Sequence, residues 1–228
     1  MEEKIFSRTK LLIGKEGIEK LNKSKVAVIG IGGVGSFAAE ALARAGVGTL
    51  ILVDSDVICP SNLNRQIHAL HSTMGLPKVE VMKNRIFDIN PDAKVFGIRE
   101  FYSSETASKI LAQDFDYLVD AIDSLNSKID LIINCKKLNI PIISAMGAGN
   151  KLDPTKFKVA DISETSVCPM ARKIRKELRK NGIEKGVKVV FSTETPLKNH
   201  HPPGSISFVP PVMGLIMAGE VINHLIKN

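Results

Sequence analysis

The chain has 228 residues, 44% of them hydrophobic, which suffices for one well-buried α/β core and is ordinary for a soluble globular protein. No uninterrupted apolar run approaches the roughly 18 residues that span a bilayer, and Met1-Glu2-Glu3-Lys4 lacks the basic start and apolar stretch of a secretory leader. The net charge is +7, and residues 172–188 carry eight Lys or Arg against two Glu, or +6, which points to an anionic partner.

Apolar strands alternate with amphipathic helices from about residue 25 to about residue 145. An N-terminal segment, Ile5 to Leu21, precedes the first strand, Lys25 to Ile29. A helix dense in alanine is expected from Gly33 to Ala45, then a strand from Thr49 to Val53. Lys78 to Asn90 has helical spacing, with Val79, Met82 and Ile86 on one stripe and Asn90-Pro91 as its stop. Strands at 94–98, 117–121 and 141–145 alternate with helices at 105–111 and 128–138. Such β-α-β-α order predicts a Rossmann-like, mostly parallel sheet with helices on both faces. Beyond it come strands at 157–161 and 187–192, a basic helix from Cys168 to Asn181, and a terminal helix from Val212 to Ile226 that Pro210-Pro211 introduces. Asn199 to Gly204 reads as a surface loop. The expectation is one domain over 1–228, with a helical segment at 1–24 and a substrate-side extension at 151–228.

Cys59, Cys135 and Cys168 are few and far apart, which suits a reducing cytoplasm, and without a C-x-x-C pair a structural zinc has no support. Cys168 opens the basic helix, where the helix dipole favours a thiolate, but a role without covalent chemistry is the simpler reading. Cys135 sits among Leu131, Ile132 and Leu138 and is read as core. The histidines have no metal spacing; His68 is the one placed near the candidate site.

Gly30-Ile31-Gly32-Gly33-Val34-Gly35 follows the first strand and opens a helix. Glycines there let backbone approach a phosphate, and the helix N-terminus offers free N–H groups and a positive dipole. Asp54 ends the second strand, where a carboxylate accepts from ribose hydroxyls. A dinucleotide dehydrogenase shares the pattern this far. The following Ser61-Asn62-Leu63-Asn64-Arg65-Gln66 and Lys78 add two cations, which suit the roughly four charges of a triphosphate better than the two of a dinucleotide. Asp123 lies just past a strand's carboxyl end, where it can serve Mg²⁺ held partly by phosphates or cap the next helix.

Taken in order, Gly30-x-Gly32-Gly33-x-Gly35, Val53-Asp54-x-Asp56, Ser61-Asn62-x-Asn64-Arg65-Gln66, Pro77-Lys78 and Ala121-Ile122-Asp123-Ser124 resemble the ubiquitin-activating-type adenylating enzymes. These include the bacterial activators of thiamine and molybdopterin sulfur-carrier proteins. The resemblance implies an ATP and Mg²⁺ site made of those residues: Asp54 on the ribose, Asn62, Arg65 and Lys78 on the phosphates, Asp123 on the metal. It also implies a homodimer in which Arg8 reaches into the neighbouring subunit's site.

Arg65 to Leu70, Ser144 to Gly149, Asp153-Pro154-Thr155 and Phe191 to Glu194 are similar to the branch of dehydratases that cyclise threonylcarbamoyladenosine in tRNA. The sulfur-carrier activators usually carry two C-x-x-C zinc pairs, absent here; the stretch from Glu194 to Gly204 is short for the dehydratase branch. The chemistry implied is activation of the threonyl carboxylate, most simply as an acyl-adenylate, with Arg65, Lys78 and Mg²⁺ stabilising charge and the ureido group of the same side chain closing the ring. Activation of the C-terminal glycine of a ubiquitin-like sulfur carrier is the alternative. A sulfur-transfer protein partner stays open, and the basic helix is the expected tRNA surface.

Overall fold

The computed structural model describes residues 5–197 and 203–227. Its elements in chain order are α1 (Ser7–Lys23), β1 (Lys25–Ile29), α2 (Gly35–Ala45), β2 (Thr49–Val53), α3 (Lys78–Ile89), β3 (Lys94–Ile98) and α4 (Ala107–Leu111). There follow β4 (Tyr117–Asp120), α5 (Leu125–Lys137), β5 (Ile142–Ala145), β6 (Phe157–Asp161), α6 (Pro169–Lys180), β7 (Lys188–Ser192) and α7 (Val209–Lys227). The seven strands form one sheet in the order β3-β2-β1-β4-β5-β7-β6. All neighbours are parallel except β6, which runs antiparallel to β7 at the edge. Strand order reverses between β1 and β4, and ligands of such sheets bind at the carboxyl ends of the strands beside that reversal.

Alternate residues of β1 supply two cores. Val26 and Val28 pack with α2, α3 and α7, whereas Ala27 and Ile29 pack with α4, α5 and α6. A strand buried on both faces has no polar side to alternate, which is why Val26 to Ile29 reads as a continuous apolar run. Each fully buried aliphatic side chain of this kind contributes roughly 1.5–3 kcal/mol over exposure.

The helices stop and start where local chemistry dictates. α2 ends at Gly46, whose φ of 97° is a left-handed cap that glycine adopts without strain. α3 follows Pro77 and ends at Asn90, ahead of Pro91. α1 is kinked at Gly14 (φ 72°). α6 buries Ala171, Ile174 and Leu178 and presents its basic residues other than Arg175 outward.

Three expectations shift. α5 begins at Leu125 rather than at residue 128, so Lys128 falls inside its buried face. α7 begins at Val209, with Pro210 and Pro211 in its first turn, where a missing N–H leaves no bond unmade. α7 also has the length and composition of a bilayer-crossing helix, with a mean hydropathy of 1.4, because Glu220 and Lys227 are its only charged residues. Half of that window is buried in the protein, which makes α7 a core helix against α2. Gly214 permits this packing, since a Cβ there would lie 2.2 Å from Val34 O. Of the expected 199–204 loop, 199–202 lies outside the described residues.

Candidate active site

Two loops meet where the sheet order reverses. Gly30 leaves β1 with φ 90°, and a Cβ there would sit 2.7 Å from Ala121 O, beyond β4. A Cβ on Gly35 would sit 1.8 Å from Gly30 O, so this glycine closes the turn and does not itself line the site. Gly32 is different: the nearest atom to a Cβ there is Gln66 Nε2 at 3.8 Å, so a side chain would project into open space. That space is a cavity of about 960 Å³ along the ends of β1, β2, β4 and β5. The glycine turn therefore forms a cradle floored by backbone, with the N-terminus of α2 behind it.

Of the residues that the sequence offers for a nucleotide site, Gly30, Gly32, Gly33, Asp54, Asp56, Asn62, Arg65, Gln66, Lys78, Asp123 and Ser124 line this cavity. Asp54 Oδ2 accepts from Ile31 N at 2.6 Å and Oδ1 from Asp56 N at 2.8 Å. Those bonds fix the carboxylate and leave each oxygen one further acceptor site. Burial raises its pKa above the ordinary aspartate value, against the opposing pull of Lys78 and the backbone bonds. Lys78, the first residue of α3, is buried and donates from Nζ to Asp56 Oδ2 at 2.7 Å. Arg65 Nη1 donates to Ser61 O at 2.7 Å and to Asn64 Oδ1 at 2.9 Å, while its stem lies against Gly33. Gln66 Oε1 is buried without a hydrogen-bond partner among the described residues. Such an orphaned acceptor beside an open cradle suits a ligand that donates hydrogen bonds.

Asn64 does not line the cavity: its side chain is exposed and Nδ2 donates to Ser205 O at 3.0 Å, tethering the segment before α7. Asn62 Oδ1 accepts from Cys59 N at 3.0 Å and so braces its own loop. Asp123 is exposed, and the cap position of α5 belongs to Ser124, whose side chain makes no capping bond. Its carboxylate is thus not committed to holding the helix. Arg8 is exposed on the first turn of α1 and is not part of the cavity of its own chain.

His68 does not face the cavity. It is 1% exposed and absent from the lining, and neither ring nitrogen has a partner among the described residues. Cys168 is 2% exposed, precedes α6 and lines the cavity, whereas Cys135 is core, its thiol pushed up to about 12 chiefly by burial. Among the described residues there is no cluster of three metal-ligating side chains.

Sequence reading missed two features. Behind Asp123, Asp120, Lys128 and Ser144 form a network of fully buried side chains. Its signal was present, because Lys128 shares a stripe with Leu131, Ile132 and Cys135, a spacing that puts a cation among core positions. The second is Lys151, buried in the loop after β5 and lining the same cavity.

Residues 6–228 match the ThiF family. The chain is 51% identical over 98% of its length to the Bacillus subtilis tRNA threonylcarbamoyladenosine dehydratase, of which it covers 95%. It is 41% identical over 83% of its length to the Escherichia coli protein of the same name, covering 73% of that protein. The crystal structure of the E. coli tRNA N6-threonylcarbamoyladenosine dehydratase in complex with ATP superposes with a TM-score of 0.93 at 37% identity, covering 97% of this chain and 93% of that one. A glycine cradle at the sheet reversal, a carboxylate fixed at the end of β2 and a match over almost the whole length together place this chain in the ThiF family.

Proposed function

We propose that the protein is an ATP-dependent tRNA threonylcarbamoyladenosine dehydratase. The observation that carries this is the 51% identity to a protein of that name over nearly the entire chain, together with a cavity whose lining suits a nucleoside triphosphate. Asp54 receives the ribose hydroxyls, the cradle at Gly32 and Gly33 receives phosphate oxygens, and Arg65 and Lys78 supply positive charge. The Asp56 side chain is 65% exposed, so an incoming phosphate takes Lys78 from it at small cost. Asn64 holds the Ser205 segment against the site. Asp123 offers one hard carboxylate oxygen, which fits a Mg²⁺ that takes its remaining ligands from phosphates and water.

ATP supplies the activation, turning the substrate's carboxylate oxygen into a leaving group. The side chain also carries a ureido nitrogen, so attack on the activated carbonyl is intramolecular and needs orientation more than a dedicated nucleophile. Net loss of water follows. This fits a cavity in which Cys168 is buried and, among the described residues, no histidine joins the lining.

The test is nucleoside mass spectrometry, under mild conditions, of tRNA from cells with and without the gene. Deletion should replace the cyclic nucleoside by its open form, and purified protein with ATP and Mg²⁺ should restore it. Unchanged nucleosides, together with pyrophosphate exchange stimulated by a ubiquitin-like protein, would establish sulfur-carrier activation instead.

The assembly belongs to the same reading. Leu11 and Leu12 are 79% and 87% exposed on α1, an apolar face beside Arg8 that suits a homodimer with shared sites. Mixed dimers of Arg8→Ala and Asp123→Asn subunits should regain activity, since one hybrid site is intact; a monomer in sedimentation would end this idea. A cytoplasmic location follows from the tRNA substrate.

A further inference from the structure

Three lysines in the described chain are almost fully buried: Lys128 at 0% exposure, Lys151 at 4% and Lys78 at 5%. A buried ammonium needs an anion, or it is left desolvated and uncompensated. Lys128 has Asp120 and Lys78 has Asp56, each at 2.7 Å. Lys151 has no carboxylate within 4 Å among the described residues. Its Nζ donates to the backbone oxygen of Glu194 at 3.1 Å, which uses one of three donors. The Glu194 carboxylate is turned elsewhere, accepting from Leu152 N and Asp153 N at 3.0 Å each.

Position adds to the argument. Lys151 lines the large cavity from the loop after β5. Asp54 and Lys78 approach the same cavity from beyond β2, on the other side of β1 and β4. Met146, Gly147, Asn150, Cys168 and Met170 line the same cavity as Lys151, and none of the five is acidic. Burial pulls its pKa below the ordinary lysine value, with Cys168 and Glu194 opposing the shift.

We propose that Lys151 binds the carboxylate of the substrate's amino-acid side chain and holds it at the nucleotide-distal end of the cavity before activation. This rests on the dehydratase reading and assigns the group that recognises the reacting acid. A charge-assisted N–H···O⁻ bond in a water-poor cavity both selects a carboxylate over a neutral group and orients it.

The test compares two anticodon stem-loop oligonucleotides, one with the free threonyl carboxylate and one with its methyl ester, binding to wild type and to Lys151→Gln. Glutamine keeps a donor for Glu194 O and removes only the charge; Lys151→Met with its thermal melt serves as the second variant. Wild type should prefer the carboxylate by about tenfold, the range of one charge-assisted bond. The glutamine variant should lose that preference, with ATP affinity unchanged. A retained preference overturns the proposal, as does an equal loss for both oligonucleotides or for ATP, which marks a phosphate ligand. Wild type that converts modified tRNA without preferring the carboxylate removes Lys151's role and leaves the dehydratase reading standing; wild type that does neither removes both.

Discussion

Lys128 Nζ lies 2.7 Å from Asp120 Oδ2, and neither side chain is exposed at all. Ser144 Oγ donates to the same oxygen at 2.5 Å, and Asp120 Oδ1 accepts from Ile122 N at 3.1 Å. A cation on α5, a carboxylate at the end of β4 and a hydroxyl on β5 thereby fix the backbone one residue before Asp123. Removing one partner of such a pair leaves an uncompensated charge in the interior. Lys128→Met should therefore cost about 3–5 kcal/mol in urea denaturation, and adding Asp120→Leu should recover much of it. A single variant as stable as wild type would mean that the pair is not strongly coupled.

Asp123 is exposed and makes no capping bond, so its loss should spare the fold. Asp123→Asn should move the thermal midpoint by less than about 2 °C, as surface substitutions do. Turnover should fall at least about 100-fold, the scale of losing one preorganised charge-stabilising group. Near-normal turnover in a well-folded variant would remove Asp123 from the mechanism.

Lys78 and Arg65 enter the cavity from the loop and helix that follow β2. If each meets the outer phosphates, Lys78→Ala and Arg65→Ala should weaken ATP by about 10- to 100-fold, as expected for lost hydrogen bonds between charged groups. AMP, which lacks those phosphates, should be nearly unaffected. Calorimetry with both nucleotides settles the matter, and equal losses would contradict the assignment.

Burial, with repulsion from Lys78 and Arg85, pushes the His68 imidazole down from 6.5 to about 4. The folded protein then refuses a proton that the unfolded chain accepts below about pH 6.5. This contribution is fully present above that pH and is lost as pH falls toward 4. Between pH 7 and 5 the loss is about 2 kcal/mol. His68→Leu should flatten the stability curve by that amount over the interval. Parallel curves for wild type and variant would show that His68 takes up its proton equally in the folded and unfolded states, so that burial does not depress it.

Arg175 donates from Nη1 to Thr165 O at 2.8 Å, which commits it to bracing the start of α6. The outward cations Arg172, Lys176 and Arg179 are exposed along one face of that helix. Replacing these three with alanine should weaken tRNA binding and lower the slope of log affinity against log salt by about 2–3, one per lost phosphate contact. ATP affinity should not change. An unaltered slope would exclude α6 as the tRNA surface.

The amino-acid sequence determined what is carried by neighbouring residues. The run from Val26 to Ile29, the glycine turn after it and the carboxylate of Asp54 mark a glycine cradle at the end of the first strand because strand, turn and helix are contiguous there. The basic face of α6 was equally legible, since helical periodicity alone sorts Ile174 and Leu178 from the cations between them. Only the tertiary structure decided what depends on pairing distant segments. Lys128 and Asp120 are eight residues apart on different elements, and nothing local says that a lysine at a core position has found its carboxylate. Arg175 looked like one more exposed charge until Thr165 folded back onto it. Asn64, which reads as a ligand residue, is spent on Ser205, 141 residues away. Lys151 passed unnoticed because its meaning lies in an absence: among the described residues no carboxylate comes within 4 Å of it, and whether one does is fixed by packing across the sheet and not by the order of residues along the chain.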